Sequence, residues 1–131
     1  MNYYIITAEF NAFITDPMTE ACVKAFEAQN IKAIVVKVPG ALEIPIMAQH
    51  IIKKYNPKAI VTIGCLIKGE TDHYKAICEM VSQGVMRLML DHQVPIVFEV
   101  LMVDSIKKAE DRIEKGTHAA YCATRMAGLL T

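Results

Sequence analysis

The segment Gly64-Cys65-Leu66-Ile67-Lys68-Gly69-Glu70-Thr71-Asp72-His73-Tyr74 sets a histidine and two acids between an apolar run and a predicted helix start. N–H groups of a first helical turn, together with the helix dipole, attract an anion such as phosphate. The same dipole disfavours an imidazolium, so a histidine there tends toward the neutral form that proton shuttling needs. A structural role competes: Glu70 and Asp72 are ordinary acids for a helix N-terminus, and His73, four residues before Ile77, can extend a packed stripe. Spacing alone favours capping or packing over catalysis. The G-x-x-x-x-G-K-[ST] phosphate loop is absent.

A second segment, Val38-Pro39-Gly40-Ala41-Leu42-Glu43-Ile44-Pro45, brackets small residues between two prolines, which stiffens the backbone and lets a ligand approach closely. Glu43 could accept hydrogen bonds from ligand hydroxyls or simply complement a helix dipole. Phe10 and Phe13 follow the first apolar run, and Phe98 stands beside Glu99 at the expected end of the fourth. Each could stack on a planar ring or merely cover the core. Arg112 and Lys115 sit in a charged helix and, taken alone, read as a solvated face. His50, His92 and His118 are isolated, and the eight methionines suit core filling. No Ser-His-Asp arrangement or paired-carboxylate signature stands out.

These residues need elements to hold them. Tyr3–Thr7, Ile31–Val38, Ala59–Gly64 and Val94–Leu101 read as strands, the third apolar throughout, as expected of a strand buried on both faces. Asp16-Pro17 predicts an N-cap and first helical residue, with a helix running to Asn30. Further helices are expected from about Pro45 to Tyr55, from Asp72 to Asp91 (inner stripe Ile77, Met80, Val81, Gly84, Leu88), and from Ser105 onward with a break at Gly116. Cys65–Thr71 reads as a loop. Alternation of strand and helix, with right-handed crossovers, gives an α/β fold: a three-layer αβα sandwich on a four-stranded parallel sheet, one domain over residues 1–131. In such sheets ligands sit beyond the carboxyl ends of the strands, so four loops should converge on one rim.

The chain has 131 residues, with fourteen basic and fourteen acidic side chains and a formal charge of zero, which removes the electrostatic case for a nucleic-acid binder. Its 53% hydrophobic content excludes disorder and leaves apolar surface for partners. The longest apolar stretches are about half of what a spanning helix needs, and no secretory signal is evident. Four scattered cysteines without a C-x-x-C pair indicate neither a metal site nor a redox motif. A reducing, cytoplasmic setting is expected.

Together the segments resemble the 6,7-dimethyl-8-ribityllumazine synthase family of riboflavin biosynthesis, with its flavodoxin-like fold. The resemblance runs from Phe10-Asn11-x-Phe13-Ile14-Thr15 and Val38–Pro45 through Gly64–Tyr74 and Val94-Pro95-x-Val97-Phe98-x-Val100-Leu101 to Ala109-x-x-Arg112 and Lys115-Gly116. It implies condensation of 5-amino-6-(D-ribitylamino)uracil with 3,4-dihydroxy-2-butanone 4-phosphate, without metal or cofactor. By the resemblance, Phe10 would stack on the pyrimidine, Ala41, Leu42 and Glu43 would bind the ribityl chain, and Cys65, Leu66 and Ile67 would contact the pyrimidine edge. Glu70 and Thr71 would offer N–H groups to phosphate, and His73 would transfer protons.

A homopentamer with sites between subunits is implied, so Phe98, Arg112 and Lys115 would come from a neighbouring copy. Departures stand at Lys68, Lys75, Glu99 and Met102-Val103, in a short Arg112–Lys115 interval, and in a leading segment not present here that in many relatives joins a neighbour's sheet. Glu99, as a carboxylate beside Phe98, is expected to disturb packing or repel phosphate. These departures keep two alternatives open: a non-catalytic assembly or flavin/ribityl-ligand-binding protein on the same fold, and a related riboflavin synthase.

Overall fold

The computed structural model describes residues 2–69 and 72–131. Four parallel strands, β1 (Tyr3–Ala8), β2 (Ile34–Val38), β3 (Ala59–Ile67) and β4 (Ile96–Val103), lie in the order β2-β1-β3-β4. Helices α1 (Ala12–Glu27) and α5 (Lys115–Leu129) cover one face, and α2 (Ile44–Tyr55) and α3 (Tyr74–His92) cover the other. The expected α/β sandwich is the observed one. Strand alternation divides the core: Ile5, Val61, Ile63 and Leu101 pack under α1 and α5, whereas Tyr4, Ile6, Ile60 and Val100 pack under α2 and α3.

Several boundaries differ from the sequence reading, each for a physical reason. Helix α1 starts at Ala12, so Asp16 is not its cap and Pro17 lies inside it. The apolar stripe Ile14, Met18, Cys22 continues one turn earlier than Asp-Pro suggests, and Asn11 O already accepts from Ile14 N (2.9 Å) and Thr15 N (3.1 Å). Asp16 instead faces Lys37 Nζ at 3.5 Å.

Strand β3 runs three residues past Gly64, so Cys65, Leu66 and Ile67 are strand rather than loop. Strand β4 begins after Pro95, which has no N–H for a ladder, and ends at Val103 rather than Leu101. On α3 the fully covered positions are Val81, Val85 and Leu88, and Met80 is exposed.

Gly116 breaks nothing. A short helix α4 (Ile106–Glu110), capped by Ser105 Oγ accepting from Lys108 N, ends before Asp111–Glu114, and α5 begins beyond it. Gly116 lies buried in the first turn of α5, where an added Cβ would stand 2.1 Å from Met18 O. The glycine is there because two helix backbones nearly touch.

Candidate active site

The carboxyl ends of β1, β2 and β3 meet in one rim, tied by hydrogen bonds that extend the sheet into the loops. Glu9 N donates to Val38 O (2.8 Å) and Phe10 N to Pro39 O (3.1 Å), which sets Phe10 beside the turn after β2. The order β2-β1-β3 reverses direction at β1, the switch point where open α/β sheets place their ligands. Pairing of β1 with β3 ends at Thr7↔Ile63, while β3 continues alongside β4 to Ile67↔Val103. The β1-facing edge of Gly64–Ile67 therefore lies past the last β1 partner and opens onto the switch point. Asn11 Nδ2 crosses it, donating to Cys65 O at 2.8 Å.

The turn Ala41–Glu43 closes the rim on the β2 side. Ala41 is buried, and a Cβ on Gly64 would lie 3.7 Å from the Ala41 Cβ, so glycine at 64 lets the turn seat close to β3. Leu42 is exposed and Glu43 half-buried, its Oε1 3.2 Å from where a Cβ on Gly40 would stand. Phe10 is half exposed over the rim. His73 is exposed at the N-cap position of α3, one residue before the helix proper, and its carbonyl accepts from Ile77 N (2.9 Å). Next to it, burial raises the Tyr74 phenol above its ordinary range, and Cys78, one turn on, adds to the shift. The expected positions Glu70 and Thr71 lie outside the described residues.

The whole of residues 1–131 matches the family model for 6,7-dimethyl-8-ribityllumazine synthase. Proteins of that name are similar to this chain along most of their length. One from Polaromonas sp. is 40% identical, over 96% of this chain and 84% of its own. One from Limosilactobacillus reuteri is 36% identical, over 97% and 86%. One from Porphyromonas gingivalis is 35% identical, over 95% and 83%.

The chain belongs to the 6,7-dimethyl-8-ribityllumazine synthase family. The family resemblance and the enzyme class expected from the sequence are thereby borne out, and neither alternative is favoured.

In one copy of this lumazine synthase family chain, the remaining candidates are carried by β4 and by the segment from α4 to α5. Phe98 is not at the end of β4 but near its start, paired with Thr62 and five residues short of Val103. At about 3.3 Å per residue that is roughly 16 Å below its own rim. It lies on the α2/α3 face, at an apolar trough of about 760 Å³ along the outer edge of β4, with Met89, Pro95, Cys122, Met126 and Leu130 among its walls.

Arg112 is half-buried in the link between α4 and α5. Its Nη1 makes one long contact, 3.4 Å, with Lys108 O, although the guanidinium carries five donors. Lys115 is exposed at the start of α5.

Glu99 does not stand beside Phe98 in space. Successive strand residues point to opposite faces, so Glu99 turns toward α1 and α5, where burial raises its carboxyl while Lys115 and His118 pull the other way. Glu99 and Phe98 thus lie on opposite faces of the sheet, and the cations acting on Glu99 are Lys115 and His118. Cys22, behind it, is pushed up to about 12 by burial and then by Glu99, which makes it an inert core thiol. Lys68 N extends the β3–β4 ladder by donating to Val103 O (2.8 Å), and Asp104 just beyond is lowered by the hydrogen bond and charge of Lys108, with Lys68 adding least. Among the described residues no cluster of three metal-ligating side chains occurs, and no helix is long and apolar enough to cross a membrane.

The sequence reading passed over Asn11 as a functional residue. Its signal was present, an asparagine directly after the rim aromatic, but asparagine at a helix start reads first as a cap.

Proposed function

We propose that two adjoining copies of this chain build each active site of a cytoplasmic homopentameric lumazine synthase, residues 1–131 serving as one domain. The reaction condenses 5-amino-6-(D-ribitylamino)uracil with 3,4-dihydroxy-2-butanone 4-phosphate, releasing phosphate and water. One copy supplies Phe10 under the pyrimidine, the backbone of Cys65, Leu66 and Ile67 along its edge, and the Ala41–Leu42–Glu43 turn for the ribityl chain. The ring amine condenses with the ketone to an imine with loss of one water, phosphate leaves, and ring closure of the ribitylamino nitrogen onto the remaining carbonyl, with loss of a second water, completes the lumazine. His73, exposed at the rim, gives and takes the protons those steps move.

The neighbour supplies Phe98 over the ring, Arg112 as a two-pronged donor to phosphate, and Lys115 beside it. Glu70 and Thr71 keep their expected part, N–H donation to phosphate, on the resemblance alone. Most of the acceleration comes from holding two substrates in place and stabilising the departing charge.

The observation that carries this reading is the position of Phe98: far below its own rim, yet on an apolar open edge where a second copy can bring its rim. Contacts of that head-to-tail kind close into a ring when the rotation allows.

The test is complementation. Wild-type protein given both substrates forms fluorescent lumazine above the spontaneous rate, whereas His73→Ala is slowed and Arg112→Ala uses the phosphorylated substrate poorly. If the two variants are dissociated, mixed in equal amounts and reassembled, about a quarter of the subunit contacts pair an intact His73 with an intact Arg112. About a quarter of the wild-type rate should return. A mixture that gives only the mean of the two variants would falsify the shared site.

A further inference from the structure

Asn11 breaks a local rule. Asparagine is among the best N-cap residues because its side-chain oxygen usually accepts from the first helical turn. Asn11 occupies the N-cap position of α1, yet it makes no such cap. It holds the left-handed conformation instead, φ 62° and ψ 45°, which asparagine tolerates better than most residues. That twist turns the amide away from its own helix and across the switch point. There Nδ2 donates to Cys65 O, 2.8 Å away and 54 positions distant in the chain. A residue that forgoes its local preference beside a site is a functional candidate.

The bond joins two parts of the rim that lie beyond the β1–β3 ladder. The last pairing of β1 with β3 is Thr7↔Ile63, so the loop carrying Phe10 and the edge of Cys65–Ile67 have passed beyond their mutual ladder. On its other side the Phe10 loop is fixed to β2 by Glu9 N and Phe10 N. The Asn11 amide is a tie on the β3 side.

The geometry points to Asn11 as a positioning residue: its amide sets the spacing between the Phe10 ring and the Cys65–Ile67 backbone, and with it the fit of the planar heterocycle. This inference rests on the reading that these groups bind the pyrimidine. It adds a residue that acts through them.

Three variants separate the backbone from the side chain. Asn11→Gly keeps the left-handed backbone without strain and removes the amide. Asn11→Asp tolerates the same backbone and replaces the donor with a carboxylate aimed at a carbonyl. Asn11→Ala loses both advantages.

Steady-state kinetics with both substrates varied, on the assembled protein, should show KM for the ribitylaminouracil raised about three- to tenfold in Asn11→Gly. The increase should be larger in Asn11→Asp. KM for the butanone phosphate should stay within about twofold and kcat should change little, since placement of one substrate is what suffers. Thermal melting of Asn11→Gly should stay close to the parent's. A merely structural asparagine would lower the melting temperature and shift both KM values together, or shift neither, and either result overturns the proposal. If wild-type protein forms no lumazine, the functional reading fails and the positioning role falls with it. If wild type is active and Asn11→Gly behaves identically, the positioning role alone is wrong.

Discussion

Gly116→Ala tests the packing that seats α5, and with it Lys115. An alanine Cβ at 116 would lie 2.1 Å from Met18 O, 2.9 Å from Met18 C and 3.2 Å from Met18 Cα. Carbon approaches a carbonyl oxygen to about 3.3 Å at closest, so the helices must separate by roughly 1 Å. The obstacle is backbone, and no rotamer change relieves it.

Ala119, Ala120, Ala123 and Ala127 of α5 are buried in the cluster that includes Met18, Cys22 and Phe26 of α1. A gap near 1 Å forfeits a quarter to a half of the dispersion well for each contact it opens. Forced overpacking of this kind costs about 1–3 kcal/mol and sometimes more. Alanine's better helix propensity returns at most about 1 kcal/mol. The net loss is then about 1 kcal/mol or somewhat more, roughly 3–5 °C of melting temperature for a chain of this size.

Gly128→Ala is the matched control. It lies in the same helix with nothing within 4 Å of the added carbon, so its melting should be unchanged or slightly raised. Circular dichroism melts and urea midpoints of both variants against the parent decide the matter. A Gly116→Ala protein that melts with the parent, or above it, would show that α1 and α5 are not in backbone contact.

Two further outcomes follow from the charge and thiol chemistry. The Glu99 carboxyl is raised by burial in the folded chain, so the folded state binds its proton more tightly than the unfolded state. Stability attributable to this group should fall as pH rises from the ordinary carboxylate range through the raised value. Glu99→Gln should flatten that dependence and gain at most about 1 kcal/mol at pH 7, because solvent screens a half-exposed group; melts at pH 5 and 7 that show a loss at pH 7 would mean Lys115 and His118 outweigh burial. Among the cysteines, Cys122 is exposed in the isolated chain and lines the Phe98 trough, whereas Cys22 and Cys65 are buried. Alkylation followed by mass mapping should find Cys122 protected in the assembly and reactive once subunits are dissociated, with Cys22 and Cys65 silent until unfolding; equal reactivity of Cys122 in both states would remove the trough from the subunit contact.

The fold was legible because its strongest signals are long and redundant. Residues Ala59–Gly64 are apolar but for Thr62, and they belong to one of the two inner strands, buried on both faces. Rim loops followed from parallel topology, and Phe10, Ala41–Glu43 and His73 do lie at the ends of β1, β2 and β3. What went astray was set by contacts distant in sequence. Asp16-Pro17 is a sound local start signal, overridden by the Ile14–Met18–Cys22 stripe on β1 and β3. Gly116 reads as a breaker until Met18 of another helix is found against it.

The misplacement of Phe98 has the deepest cause, and it bears on function. An aromatic before an acid near the end of an apolar run looks like a rim residue if the strand ends at Leu101. With the strand running from Ile96 to Val103, the same aromatic drops toward the strand's start, and Glu99, its direct neighbour in the strand, points to the opposite face by alternation alone. The later strand end thus removes Phe98 from its own rim, and the pleat separates it from the carboxylate beside it in sequence. An apolar ring far from its own rim, on an open sheet edge, has no catalytic use within a single copy. On the proposed reading it acquires one where the edge of one copy meets the rim of the next, which would make assembly a condition for the chemistry.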